Sequence, residues 1–69
     1  MNDADPAPRR RLDPDERRAA ILEAAVRVFA RAPYDAVSVA AVGVEAGVSE
    51  ALVFRYFESK AALFTEVVR

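Results

Sequence analysis

Val37-Ser38 with Val42, and Val48-Ser49 with Val53, repeat one pattern: an apolar β-branched residue, a serine, and a second valine four positions after the serine. A serine so placed accepts a hydrogen bond from a free backbone N–H of a helix's first turn, while the flanking apolar pair clasps across it as a hydrophobic staple. Each occurrence therefore predicts a helix start. Gly47, between the two, is the residue type that closes a helix in left-handed geometry, so the helices are expected at 38–46 and about 49–57. Two short capped helices meeting across a tight turn that contains glycine make a helix-turn-helix.

The flanking segments obey the same grammar. Asp13-Pro14-Asp15-Glu16 places an Asp at the N-cap, Pro at the first helical position and Glu where it closes a capping box. Apolar groups then recur at Ile21, Leu22, Ala25, Val28, Phe29 and Ala32, one stripe of a helix that Pro33 ends near residue 31. Ser59, with Lys60 and Leu63, opens a fourth helix that continues to Arg69. No alternating run is long enough for a strand. The expected fold is all-α: a three-helix bundle with a helix-turn-helix, homeodomain-like, followed by the start of a fourth helix. Residues 1–12 lack periodicity and are expected to form a disordered arm, 13–57 the folded domain and 58–69 the beginning of a linking helix.

Composition narrows the chemistry. Alanine supplies fifteen of the apolar residues, so the core is expected to rest on Leu12, Ile21, Leu22, Val28, Phe29, Tyr34, Val42, Val48, Leu52, Val53, Phe54, Tyr56, Phe57, Leu63 and Phe64. Cysteine and histidine are both absent, which removes disulfides, thiolate metal sites and the commonest general base near neutral pH. The carboxylates Asp35, Glu45 and Glu58 are scattered and accompany no nucleophile or phosphate-cradling glycine loop, so an enzyme is not expected and no cofactor is called for. No secretory leader or membrane span is legible, and the expected location is the cytoplasm. The formal net charge is only −1, yet Arg9, Arg10 and Arg11 concentrate positive charge at the entrance to the folded part. That run reads either as a solvated linker flank or as an arm for the minor groove of nucleic acid.

Ile21-Leu22-Glu23-Ala24-Ala25, Val28-Phe29, Tyr34, Ser38-Val39, Ala46-Gly47-Val48-Ser49, Tyr56-Phe57, Ser59-Lys60 and Ala62-Leu63-Phe64 occur in an order and spacing that resemble the DNA-binding domain of tetracycline-repressor (TetR) family regulators. The resemblance covers about residues 16–66. It implies a three-helix domain that binds double-stranded DNA, joined by a further helix to a ligand-binding domain that forms a homodimer and takes a small-molecule effector. By the same resemblance, the positions of Ser38, Ser49, Tyr56 and Lys60 touch the DNA backbone. Each serine can equally be a cap without a ligand, Lys60 a solvated charge and Tyr56 a core aromatic.

The helix expected at 49–57 has the size to enter a major groove with its N-terminal residues toward base edges, which makes Glu50, Ala51, Leu52 and Arg55 candidate readers. Glu50 can accept from cytosine N4, or can be merely a first-turn acid. Several positions depart from the family pattern. Leu52 stands where a small or polar residue is usual, Phe54 where Tyr is usual, Gly43 where Ala is usual and Pro33 where Gly is frequent. Gly43 is expected to cost the second helix about 1 kcal/mol in propensity. The competing reading is a helical protein-interaction module that has lost DNA binding through Leu52 and Phe54 and docks through Phe64, Val67 and Val68.

Overall fold

The computed structural model describes residues 13–69, and every described element is helical. The expectations for Leu12 and for the arm with Arg9, Arg10 and Arg11 lie outside the described residues. Helix α1 spans Pro14–Arg31, a 3₁₀ turn spans Tyr34–Ala36, and α2, α3 and α4 span Val39–Ala46, Glu50–Tyr56 and Lys60–Val68. Each start follows its local chemistry. Asp13 Oδ1 accepts from the Glu16 N–H at 2.9 Å, and Glu16 Oε1 accepts from the Asp13 N–H at 3.2 Å, completing the capping box. Ser38, Ser49 and Ser59 accept from the N–H groups of Ala41, Leu52 and Ala62 at 3.0, 3.1 and 3.0 Å. Pro33 ends α1 with Ala32 extended, and its carbonyl accepts from Ala36 N–H at 2.9 Å, winding the connection into the 3₁₀ turn that the sequence did not announce.

The core joins all four helices. Ile21, Ala25 and Val28 of α1 meet Val39 and Val42 of α2, Val53 of α3, Leu63 of α4, and Val37 and Phe57 from the connections. Leu63 is completely buried, so α4 completes this core. Four members of the expected core, Tyr34, Leu52, Phe54 and Phe64, lie outside the buried cluster and the side chains packed against it. Tyr34 remains 37% exposed and Phe54 45% exposed, while Ala24, Ala25, Val37 and Val39 are buried instead. Alanine is small enough to let helices approach closely, and the valines beside Ser38 fill the space a thin set of large side chains leaves. Tyr34 joins a peripheral aromatic group, its ring centroid 6.0 Å from Phe29 and 5.1 Å from Phe64.

Polar side chains tie the helices from outside. Arg27 Nε and Arg31 Nη2 of α1 donate to the two carboxylate oxygens of Glu45 on α2, each at 2.8 Å. Arg18 places its guanidinium 4.7 Å from the Phe57 ring centroid and its Nη2 3.9 Å from Glu66, bridging α1 to α3's end and to α4.

Candidate nucleic-acid interface

The geometry between α2 and α3 is set by two glycines. Gly47 has φ +76° and ψ 27°, the left-handed conformation that an L side chain resists. It turns the chain so that only three residues separate α2 from α3. Gly43 permits the close approach. A Cβ there would lie 2.8 Å from the Val48 carbonyl oxygen and 3.3 Å from the Glu50 nitrogen, and its own carbonyl accepts from Val48 N–H at 2.9 Å. The propensity lost at Gly43 is therefore offset by a helix approach that, in this geometry, leaves no room for a Cβ.

One side of α3 is left without a neighbour. Val53 is buried, Leu52 and Tyr56 are half-buried, and Glu50, Ala51, Phe54 and Arg55 are exposed. At ~100° per residue these four form a continuous arc, with Ala51 and Phe54 at its centre, Glu50 on one margin and Arg55 on the other. The candidate readers are thus divided: Glu50, Ala51 and Arg55 are exposed, whereas Leu52 is half-buried beside the arc without joining the core cluster. Phe54, which is not among the candidate readers named from the sequence, lies on the arc. Its signal was helical spacing, since it falls three residues from Ala51 and four from Glu50.

The residues assigned to the DNA backbone sit at element junctions. Ser38 and Ser49 are exposed, and each accepts through its hydroxyl oxygen from its own helix, which leaves the hydroxyl proton available to a phosphate oxygen. Tyr56 packs against the core with part of its surface in solvent. Lys60 is already engaged: its ammonium donates to the Val37 carbonyl at 2.7 Å and lies 4.3 Å from the Tyr34 ring centroid. Two of its three N–H groups remain for another acceptor.

A short, capped helix presented across a glycine turn, with one face free of packing, is the arrangement of a groove-reading element. The sequence profile described as bacterial regulatory proteins, tetR family, matches residues 21–67, which spans α1 from Ile21 through nearly all of α4. The chain belongs to this family. It is accordingly a regulatory DNA-binding domain with an all-helical, helix-turn-helix architecture. No characterised protein and no solved structure matches it significantly. Among the described residues, no helix of this tetR-family chain is long and apolar enough to cross a membrane.

Proposed function

We propose that this tetR-family chain binds duplex DNA in a sequence-specific manner as the head of a transcriptional repressor, with α3 lying in the major groove. The observation that carries this reading is the unpacked arc of Glu50, Ala51, Phe54 and Arg55 on a helix anchored to the core through Val53 and Tyr56. Arg55 on that arc can form a bidentate pair with guanine, and Glu50 can accept from cytosine N4. Ser38 and Ser49 donate their hydroxyl protons to phosphates, Tyr56 does so through its phenol, and Lys60 directs its two free N–H groups to a phosphate beside the Val37 carbonyl. The run Arg9-Arg10-Arg11 follows the backbone into the adjacent minor groove. In the complete regulator two such heads engage half-sites about one helical turn apart, or a multiple of it. Pairing and response to a small effector belong to a domain outside these residues, and the protein acts on DNA in the bacterial cytoplasm.

Fluorescence anisotropy with labelled duplex DNA over a series of salt concentrations tests the reading. Binding must weaken with salt, with a logarithmic slope of about 0.9 per phosphate neutralised. Lys60→Ala should lower that slope by about one and weaken all sequences alike, whereas Glu50→Ala should change the preference among sequences. Salt-independent association, or no association, refutes DNA binding and favours a protein-interaction module.

A further inference from the structure

Phe54 has no structural reason to be aromatic. It is 45% exposed, while Phe57 at the end of the same helix is 4% exposed and fills the core. It also stands at the centre of the exposed arc, with Ala51 one turn before it on the same face. A phenyl ring donates and accepts no ordinary hydrogen bond, so neither a phosphate nor the polar edge of a base is its complement. Only one feature of the major-groove floor is apolar, the C5-methyl of thymine. Ala51 is short enough to let the helix approach that floor and leaves space beside the ring for a methyl group. The margins of the arc are polar, Glu50 on one side and Arg55 on the other, so an apolar centre is framed by groups suited to cytosine and guanine.

We propose that Phe54 and Ala51 form a methyl-reading surface that selects half-sites with a thymine facing the middle of α3. The proposal rests on the DNA-binding reading above and assigns part of its sequence preference. The departure from tyrosine at position 54 then exchanges a hydroxyl donor for a base-reading ring, with Phe54 as a specificity-determining residue.

The test uses duplexes selected by the protein from a randomised library. In the selected site each thymine is replaced in turn by deoxyuridine, which keeps every hydrogen-bonding group and removes only the methyl. At one or two positions the replacement should weaken binding about fourfold, the factor that accompanies loss of one buried methyl-sized group. Phe54→Ala should bind the thymine and uracil forms equally, and Phe54→Leu, which keeps an apolar contact, should retain a preference for thymine. Circular dichroism confirms that the variants are folded, as the exposure of Phe54 predicts. Selection of a defined site with no position sensitive to uracil, or sensitivity that persists in Phe54→Ala, overturns the methyl-reading proposal alone. Failure to select any site removes the DNA-binding reading and this proposal with it.

Discussion

The ammonium of Lys60 donates to the backbone carbonyl of Val37 across 2.7 Å, joining the first residue of α4 to the residue that precedes the Ser38 cap of α2. The same ammonium lies over the Tyr34 ring, so one side chain holds the 3₁₀ turn, the start of α2 and the start of α4 together. Lys60 therefore has a role in the fold before any DNA arrives.

Replacing Lys60 by Met keeps the aliphatic stem and removes the charge. The loss of a charged hydrogen bond and a partly exposed cation–π contact should lower unfolding free energy by about 1–2 kcal/mol in the absence of DNA. Chemical denaturation measures it. Unchanged stability would leave Lys60 with only the phosphate contact proposed for it.

The paired arginines hold the Glu45 carboxyl below its ordinary pKa of 4.5, chiefly through the hydrogen bond from Arg27 and then that from Arg31. A carboxylate whose pKa is depressed by folding stabilises the native state at neutral pH. That contribution is lost as pH falls below 4.5 and the group protonates. Glu45→Gln should lower the melting temperature at pH 7 and narrow the difference between pH 6 and pH 3 relative to the parent. Parallel curves for the two proteins would show that the Arg27–Glu45–Arg31 cluster contributes nothing to acid sensitivity.

Gly43→Ala sets helix propensity against contact. Alanine gains about 1 kcal/mol in a helix interior, but its Cβ would meet the Val48 carbonyl oxygen at 2.8 Å, and Val48 is itself bonded back to Gly43. Overpacking costs of about 1–3 kcal/mol should prevail, giving a net destabilisation of about 1 kcal/mol and a displaced α3. A higher melting temperature for the alanine variant would show that the turn yields easily.

Leu63→Ala removes a side chain with no solvent exposure from the core, and the expected cost is about 2–5 kcal/mol. For a domain this small, that is a large share of the whole stability. Truncation after Phe57 should abolish cooperative unfolding for the same reason. A sigmoidal melt of the 13–57 piece would mean that α4 merely rests on a complete bundle.

Sequence alone determined the helices. A cap joins residues three positions apart, a staple spans five, and a proline or left-handed glycine acts on its own backbone, so Asp13, Ser38, Gly47, Ser49 and Ser59 set the element limits without help from distant parts of the chain. The helical spacing of Glu50, Ala51, Phe54 and Arg55 likewise was legible in advance. Which side of α3 faces water was not, because that depends on where α1 and α4 lie. Burial of Val37 and exposure of Tyr34 and Phe54 came from the same competition for one small core. The contacts that join elements were beyond local patterns altogether: Arg27 and Arg31 reach Glu45 over 18 and 14 residues, and Lys60 reaches Val37 over 23. Such partners are selected only once the backbone has brought the helices together, since many exposed charges in the chain are equally able to pair. The close approach at Gly43 was decided in the same way, by a carbonyl in the following turn whose position no periodicity specifies.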